Sequence, residues 1–534
     1  MGRHALSGKV ASLLRAGAHR LEGKFKNSKY SEYSYNHNLE SITIPDVSPC
    51  YKNLLNQYQL INMVLFIILG ASISLFLIVC LLRFFLRRRL RKNTIGIFHL
   101  YCASGGGGER VLWHCVKALL SKYPNHTVHI YTHKYSDYDS LKVLLKARDL
   151  FKIDLISDCR IVDRLEFIPL RCSSFVEAKR YPYVTLFFQN FASLLLAIQA
   201  AYLMTPEIYM ETIGFAWTLP IFKLLGSSTI TYVHYPTISL DMIKDVSTSS
   251  HASFNNRGVF VRSPLLRKLK LIYYNILVIL YKYAGRHADL VMVNSTWTRN
   301  HIESLWNTRV HVVFPPCDVE SFNMIYEKRL SRKSNKSSGS LNAISIAQFR
   351  PEKNHQLQIE AFDYFVNQVD DSNSRLVLYG GCRDTEDHKR ADFLRDLIQR
   401  LDLSSRIDLA VNVSFENLVN SVAESNTALH TMVNEHFGIV LVEFMAAGLI
   451  TIAHDSGGPK MDIITDGEDG FLARDAIDFG EKLVKISQMK ENERQRIEKN
   501  AVARSKQFSA KTFEEKLNTL LKPFFKSDPL YKER

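Results

Sequence analysis

Short apolar runs of strand length alternate with helix-length stretches over most of the chain after residue 93, and this alternation is what most limits its fold. In the first half, strands are expected at 93–100, 127–132, 207–211, 229–234, 290–294 and 310–314. In the second half, they are expected at 343–347, 375–379, 407–411, 427–432 and 449–453. Such alternation is typical of parallel sheets covered by helices on both faces. The sequence therefore predicts an α/β protein with doubly wound, Rossmann-like domains.

The chain has 534 residues, which is too long for a single core. A charged, Ser-rich stretch that is nearly free of apolar residues separates the two alternating regions. The predicted divisions are an N-terminal segment at 1–62, a transmembrane helix at 63–82, a first domain at 93–325, a linker or surface loop at 326–340, a second domain at 341–510, and a C-terminal helix or tail at 511–534.

Residues 63–82 form an uncharged apolar run that is long enough to cross a bilayer as a helix. Six basic residues and no acidic ones lie between Arg83 and Lys92. The positive-inside rule therefore places everything after the run in the cytosol. Residues 1–62 are then expected to be lumenal and mostly disordered. The glycosylation sequons at Asn125, Asn294, Asn335 and Asn412 all follow the run, so none should carry a glycan.

Two further apolar stretches have two possible interpretations. Residues 183–204 carry no charge but include several amides, which makes spanning costly, while 265–283 mix basic and apolar residues as membrane-surface helices do. Each stretch is either a core-facing helix of the first domain or an element that docks this domain onto the bilayer.

The formal net charge of +15 is compatible with nucleic acid, an anionic membrane or an anionic substrate. No zinc-finger spacing or RNP-like aromatic pattern supports a nucleic-acid partner. The eight cysteines are scattered and form no Cys-x-x-Cys pair. This argues against a disulfide scaffold or a zinc site and fits a reducing compartment.

A glycine-rich loop follows the first strand of the first domain and precedes a helical run from Glu109. It consists of Gly105, Gly106, Gly107 and Gly108. A strand, a glycine loop and a helix can bring main-chain N–H groups close to a phosphate. Arg110 stands where a dinucleotide fingerprint needs its third glycine, and the P-loop lysine is absent. A turn without a ligand remains the alternative, and Arg110 either adds a cation for phosphate or caps a surface.

Other candidate residues also follow predicted strands, where ligands bind in doubly wound sheets. His234 follows one strand in the first domain, although a lone histidine is more often structural. In the second domain Arg350 and Lys353 stand three residues apart. Two cations there would neutralise a diphosphate, and a solvated pair of charges is the alternative. The turn at 455–459 would let the backbone approach a ligand closely.

The stretch 434–448 combines a polar corner with an apolar run that ends at Gly448, a residue suited to closing a helix. Main-chain N–H groups after Glu435 would lie at a helix N-terminus and suit a phosphate. Glu443 follows Glu435 by eight residues, about 12 Å along a helix. This spacing fits two hydrogen-bonding positions along an extended ligand, although an ordinary capped helix would show it as well.

This glutamate pair, with Phe437-Gly438 between its members, resembles the signature of the family-4 retaining glycosyltransferases of GT-B fold. The resemblance extends from about residue 93 onward and implies two Rossmann-like domains that face a cleft. It further implies that Glu435 contacts the transferred sugar and Glu443 the nucleotide ribose. Arg350 and Lys353, with main-chain N–H groups near Phe437, Gly438 and Ile439, would bind the diphosphate.

The segments 105–113 and 232–239 resemble those of family members that act in the endoplasmic reticulum. There the donor is GDP-mannose and the acceptor is a dolichol-diphosphate-linked trimannosyl oligosaccharide, extended by two α-1,2-mannoses on the cytosolic face. The resemblance implies that Gly105–Gly108 lie against the donor diphosphate or the acceptor, and that His234 contacts the sugar. It implies no cofactor and no divalent metal. Other early mannosyltransferases of the same lipid-linked oligosaccharide are candidate partners.

Two alternatives stay open at the level of the sequence. The first is a GT-B enzyme with another nucleotide sugar or another lipid-linked acceptor, because residue spacing does not specify guanine or mannose. The second is a non-catalytic membrane scaffold. A scaffold does not need these four charged residues, so their presence counts against it: Arg350, Lys353, Glu435 and Glu443.

Overall fold

The computed structural model describes residues 90–133, 140–239, 264–332 and 340–525, most of 61–74, and the isolated positions 77, 80, 84, 242, 243 and 246. The chain divides into two compact units at residues 78 and 79. In the first unit the apolar helix Ile61–Ser74 covers part of the predicted transmembrane run. Residues 1–60 of the predicted N-terminal segment, most of the basic cluster, residues 333–339 of the linker and the end of the tail at 526–534 lie outside the described residues.

The second unit contains two lobes. The N-terminal lobe has seven strands: β1 (Leu90–Phe98), β2 (Thr127–His133), β3 (Leu165–Leu170), β4 (Thr205–Glu211), β5 (Ser228–Val233), β6 (Leu290–Val293) and β7 (Val310–Val312). Its main helices are α1 (Gly107–Lys122), α2 (Ser140–Phe151), α3 (Thr185–Leu203), α4 (Leu219–Leu225), α5 (Pro264–Gly285) and α6 (Thr296–Trp306). The sheet is parallel in the order β3-β2-β1-β4-β5-β6-β7.

The C-terminal lobe repeats this arrangement. Its strands are β8 (Asn342–Ile346), β9 (Arg375–Gly380), β10 (Ile407–Val411), β11 (Thr427–His430), β12 (Ile450–His454) and β13 (Phe471–Ala473). Its helices are α7 (Val319–Arg332), α8 (His355–Gln368), α9 (Thr385–Arg400), α10 (Phe415–Glu424), α11 (Ile439–Ala446), α12 (Ala476–Ser487) and α13 (Glu491–Ser505), and they are followed by α14 (Ala510–Leu521). The strand order is β10-β9-β8-β11-β12-β13.

Each sheet is covered by a hydrophobic core on both faces, so the predicted doubly wound architecture is confirmed. All eleven expected strands are present within three residues of their predicted ends. Two strands were not predicted. β3 is an edge strand that contains Glu166 and Pro169, and β13 is a three-residue edge strand, so neither has the long apolar run by which the buried strands are recognised.

The chain passes between the lobes earlier than the predicted boundary at 325. Val319, Phe322 and Ile325 of α7 belong to the core of the C-terminal lobe. Residues 326–332 of the predicted linker are therefore the end of a helix of that lobe, and residues 333–339 lie outside the described residues. α14 returns to the N-terminal lobe, where Phe513 and Leu517 are buried.

Of the described helices, α3 is the one long and apolar enough to cross a membrane by length and composition, and 39% of its apolar window is buried within the lobe.

Candidate functional site

A cavity of about 530 Å³ lies between the lobes, at the carboxyl ends of both sheets. Parallel strands leave main-chain groups and loops at this edge, which is where ligands of doubly wound sheets bind. The lining residues come from both lobes: Gly107, Gly108, His234, Asn294 and Pro315 on one side, and Ile346, Ala347, Lys353, His430, Glu435, His436, Phe437, Gly438, Ile439 and Val440 on the other.

Glu435 lies in the loop after β11 and is surrounded by donors. Lys353 Nζ is 2.6 Å from its Oε2, and His430 Nε2 is 3.0 Å from the same atom. The main-chain N–H of His436 donates to Oε1 over 3.0 Å. Burial alone would raise the pKa of this carboxyl, but the His430 hydrogen bond and the Lys353 charge outweigh it and hold the pKa well below its usual range. Glu435 is therefore a carboxylate acceptor rather than a proton donor.

The Lys353 loop is fixed by contacts behind the cavity. The Thr431 hydroxyl lies 2.9 Å from the carbonyl oxygens of both Lys353 and Asn354, and Gln358 donates to that hydroxyl over 2.9 Å. Asn354 has a left-handed φ of 49°, which turns the chain into α8. These bonds fix the main chain at Lys353 beside the residues that follow β11, and its ammonium contacts Glu435 from there.

Arg350 precedes this turn and is not among the residues that line the cavity. Its Nη1 lies 3.7 Å from Glu352, and its buried Nε has no hydrogen-bond partner among the described residues. Buried donors in proteins are usually satisfied, so an open Nε is compatible with a ligand or a rearrangement. Arg350 thus precedes Lys353 by three residues in the sequence, but it lies outside the cavity wall in the structure.

The turn at 455–459 supports the Glu435 loop from behind. A Cβ on Gly457 would lie 2.3 Å from the Glu435 carbonyl oxygen, and one on Gly458 would lie 2.6 Å from that of His436. The N–H of Gly458 donates to the Glu435 oxygen over 2.7 Å. The sequence led us to expect that this turn approaches a ligand closely. Instead, its backbone approaches the loop that carries Glu435.

Helix α11 begins at Ile439, directly at the cavity. Gly438 has a φ of 108°, which only glycine adopts readily, and this turns the chain from the loop into the helix. The first N–H groups of a helix have no intrahelical acceptor, so this end can bind an anion. Phe437 contributes its main chain to the cavity, because its ring is buried against Phe314 and Phe508.

Glu443 lies one turn into α11 and is paired across the cleft. Arg110 Nη1, from the first turn of α1, is 2.5 Å from Glu443 Oε1, and both side chains are mostly buried. Burial would lower the pKa of Arg110, but the charge of Glu443 outweighs it and raises that pKa. Glu443 is therefore linked to the opposite lobe, next to the start of α11, although it is not itself among the residues that line the cavity.

The glycine loop contributes two of its four residues to the cavity, Gly107 and Gly108. A Cβ on Gly107 would lie 2.9 Å from Ile439 Cδ1, so the loop touches the start of α11. Gly105 lies beside Leu150 rather than in the cavity. Gly106 caps α1, and its N–H donates to Glu109 over 2.7 Å.

His234 faces the glycine loop from the end of β5. Its Nε2 has no hydrogen-bond partner among the described residues and would lie 3.6 Å from a Cβ on Gly108. Burial lowers the pKa of His234 to about 4, and the neighbouring His99 acts in the same direction. The imidazole is therefore neutral at physiological pH, and Asn294 steadies its main chain with a 2.9 Å bond to the carbonyl oxygen.

Several residues at the site were not predicted from the sequence. His430 binds Glu435, Asn294 binds the His234 main chain, and the ring of His436 stacks on Tyr235 of the other lobe at 4.1 Å. His430 is the last residue of β11 and Asn294 directly follows β6, and this position at a strand end is a signal that could have found them. The His436 stack depends on how the lobes meet, and no local pattern shows it.

Comparison with known proteins also divides the chain into an N-terminal and a C-terminal part. Residues 92–306 match the family described as "ALG11 mannosyltransferase N-terminus", and residues 327–504 match "Glycosyl transferases group 1". Relatives named GDP-Man:Man(3)GlcNAc(2)-PP-Dol alpha-1,2-mannosyltransferase include those of Homo sapiens, 41% identical over 81% of this chain and 87% of the relative, and of Caenorhabditis elegans, 39% identical over 74% and 84%.

Solved structures with the same fold are more distant in sequence. A sucrose-phosphate synthase from Thermosynechococcus elongatus has a TM-score of 0.58 at 16% identity and covers 82% of this chain and 100% of its own. A glycosyltransferase from Rickettsia africae has a TM-score of 0.52 at 16% identity, over 81% and 99%. At this identity the likeness concerns the fold, and it confirms the predicted GT-B architecture.

Proposed function

This chain belongs to the GDP-Man:Man(3)GlcNAc(2)-PP-Dol alpha-1,2-mannosyltransferase family, and from that premise we propose that it transfers mannose from GDP-mannose, in α-1,2 linkage, to a dolichol-diphosphate-linked Man3GlcNAc2 acceptor. The observation that carries the proposal is the shared cavity in which Lys353 and Glu435 face His234 from the opposite lobe. Two successive additions, giving the fourth and fifth mannoses, are part of the proposal.

The donor is held mainly by the C-terminal lobe. Lys353 and the N-terminal N–H groups of α11 supply positive charge for the diphosphate. Arg350 lies outside the cavity wall in this structure, and it joins them when its side chain turns towards the bound donor. Glu435 is ionised and accepts hydrogen bonds from mannose hydroxyls, while Glu443 accepts from the ribose. His234, neutral and facing the loop at Gly108, contacts the sugar from the N-terminal lobe.

The reaction proceeds with retention at the mannose C1. The bond from C1 to the departing phosphate oxygen breaks, and the acceptor 2-hydroxyl oxygen bonds to C1 on the same face. The hydroxyl proton passes to the leaving phosphate of GDP. Charge develops on that phosphate, so preorganised cations and helix-end N–H groups stabilise the transition state more than the bound donor.

No divalent metal is required in this scheme, because Lys353, Arg350 and the helix end supply the positive charge. Among the described residues no group of three or more His, Cys, Asp or Glu side chains is arranged to hold a metal ion. Activity that persists in excess EDTA supports this part of the proposal, and activity that returns only with added Mg²⁺ or Mn²⁺ contradicts it.

We also propose that the protein lies at the endoplasmic reticulum membrane, with one N-terminal span and both lobes in the cytosol. α3 and α5 support a membrane-facing N-terminal lobe, since they pack together through a 3.2 Å bond from Phe187 N–H to Tyr273. Each carries exposed apolar residues at spacings of three and four: Val184, Phe188, Phe191, Leu195, Ile198 and Tyr202 at and within α3, and Leu265, Leu269, Ile272, Ile276, Ile279 and Tyr283 on α5. Basic residues of α5 suit anionic headgroups.

The function is tested with purified full-length protein, a phytanyl-diphosphate trimannosyl acceptor and a panel of nucleotide sugars. We expect transfer from GDP-mannose alone and a mass-spectrometric ladder of one and two added hexoses. Transfer from UDP-glucose or UDP-N-acetylglucosamine instead would favour a GT-B enzyme of other specificity. Absence of transfer from any donor, with the protein folded, would favour a scaffold.

Orientation has its own test. Under the proposed topology, sequons at Asn125 and Asn412 stay unmodified in cells, so deglycosylase treatment leaves the mobility of the protein unchanged. A shift to lower mass would place the lobes in the lumen.

A further inference from the structure

The ion pair between Arg110 and Glu443 joins two elements that the proposed reaction uses separately. Arg110 follows the glycine loop by two residues on α1, and Glu443 lies on α11, which carries the diphosphate-binding end. The side chains meet at 2.5 Å and are 18% and 13% exposed, so the pair is shielded from most solvent. Shielded, charge-assisted bonds of Arg to carboxylate are geometrically demanding and fix both partners.

The same two helices also touch one turn earlier. A Cβ on Gly107 would lie 2.9 Å from Ile439 Cδ1, so there is no room between the helices there for a larger residue. Gly107 and Arg110 are three residues apart, and Ile439 and Glu443 are four apart. Each pair therefore shares one face of its helix. The first turns of α1 and α11 thus meet in a defined register, with a van der Waals contact at one end and an ion pair at the other.

The pair leaves half of the Glu443 carboxylate open. Oε1 accepts from Arg110, and Oε2 has no hydrogen-bond partner in the described part of the chain. A carboxylate offers about four lone-pair directions, so the carboxylate can accept from the guanidinium and from ribose hydroxyls together. Arg110 does not need to leave when a nucleotide arrives.

Resting on the proposed function, we propose that Arg110 is a positioning residue for the nucleotide donor. It holds Glu443 in the rotamer that accepts the ribose hydroxyls and thereby couples donor binding to the approach of the N-terminal lobe. Without Arg110 the Glu443 side chain is free to turn away, and the ribose loses an oriented acceptor. The contact of Gly107 with Ile439 remains, so the two helices stay together at that end.

The test compares GDP with 2′,3′-dideoxy-GDP, which lacks the hydroxyls that Glu443 would bind, by calorimetry on the full-length protein. We expect Arg110→Ala to weaken GDP binding about tenfold and to leave dideoxy-GDP binding within about twofold of wild type. Arg110→Lys should recover part of the loss. The double variant Arg110→Ala/Glu443→Ala should bind GDP no more weakly than Glu443→Ala alone. Arg395→Ala, which removes an exposed 2.6 Å pair with Asp392, is the matched control.

Two results overturn the inference while leaving the proposed function intact. In the first, Arg110→Ala keeps the wild-type preference for GDP over the dideoxy analogue. In the second, Arg110→Ala weakens the binding of both ligands equally. If Glu443→Ala keeps that preference, the ribose assignment itself fails, and the role of Arg110 fails with it. In kinetic assays the expected signature is a higher KM for GDP-mannose with an unchanged KM for the acceptor.

Discussion

The ammonium of Lys353 lies 2.6 Å from the carboxylate of Glu435, although the two residues belong to loops after different strands, β8 and β11. The pair is mostly buried, and His430 completes the bonding of the same carboxylate oxygen. Removing either partner leaves the other charge poorly solvated, which is costly in a shielded site. The two loops therefore depend on each other for the geometry of the donor pocket.

The first prediction concerns this pair. Lys353→Ala and Glu435→Ala are each expected to lower kcat by about 10²–10³-fold, because each removes an interaction directed at the reacting sugar diphosphate. Lys353→Arg should not restore the rate, since a planar guanidinium does not reproduce the ammonium position. Initial rates with GDP-mannose measure the effect. Lys389→Ala, which breaks an exposed pair with Glu386 on α9, serves as the control. Wild-type turnover in both site variants would remove the assignment.

A second prediction separates backbone strain from steric contact at the turn behind Glu435. Gly457 and Gly467 both have left-handed φ values, 63° and 77°. An added Cβ meets the Glu435 carbonyl oxygen at 2.3 Å in the first case and nothing within 4 Å in the second. Gly467→Ala should therefore lower the free energy of unfolding by about 1 kcal/mol, and Gly457→Ala by about 1–3 kcal/mol more.

Urea titrations of both variants give these differences, and transfer assays give a second measure. Gly457→Ala should also lose transfer activity, because the Glu435 loop must move to accommodate the methyl group. Equal stability and full activity in the two variants would show that the loop yields freely and that the turn does not position Glu435.

How far the sequence predicts this structure depends on whether a feature is local. The buried strands were found because each is a short apolar run, and the start of α11 was found because a polar corner and Gly438 precede it. The pairing of Arg110 with Glu443 joins residues 333 positions apart and depends on how the lobes meet. The membership of α7 in the C-terminal lobe was missed because α7 is an ordinary amphipathic helix, and its apolar face does not say which lobe it joins.

A third prediction follows from His355, which is buried at the start of α8 beside Phe349. Burial lowers the pKa of His355 to about 4, whereas the unfolded chain keeps an ordinary value of 6.5. Between these values the unfolded state binds more protons than the folded state, so stability decreases as the pH falls from 6.5 towards 4.

His355→Phe keeps a ring beside Phe349 and removes the titrating group. The free energy of unfolding of this variant should then fall less steeply than that of wild type as the pH decreases from 6.5 to 4. By pH 4 its loss of stability should be smaller than the wild-type loss by roughly 3 kcal/mol. His388→Phe, at an exposed position of α9, is the matched control and should leave the slope unchanged. A slope equal to that of wild type in His355→Phe would show that this histidine is protonated in the folded protein.

The last prediction concerns the exposed apolar residues of α5. Leu269 and Ile276 lie on one face of the helix and are about half exposed, with Lys268 and Lys270 close by. Each apolar side chain that enters a bilayer contributes about 1.5–3 kcal/mol. The double variant Leu269→Glu/Ile276→Glu loses both contributions and adds repulsion from anionic lipid. Binding of a chain that begins at Leu90 to anionic vesicles should therefore fall at least about tenfold in flotation assays.

Phe393→Glu changes an exposed apolar residue of α9, in the C-terminal lobe, and should float like wild type. In full-length enzyme reconstituted into bilayers, the α5 variant should raise the KM for the lipid-linked acceptor and leave the KM for GDP-mannose unchanged, because only the acceptor is delivered from the membrane. If the α5 variant floats like wild type and is equally stable, the exposed apolar residues of α5 do not bind the membrane. Other residues would then hold the lobe at the bilayer.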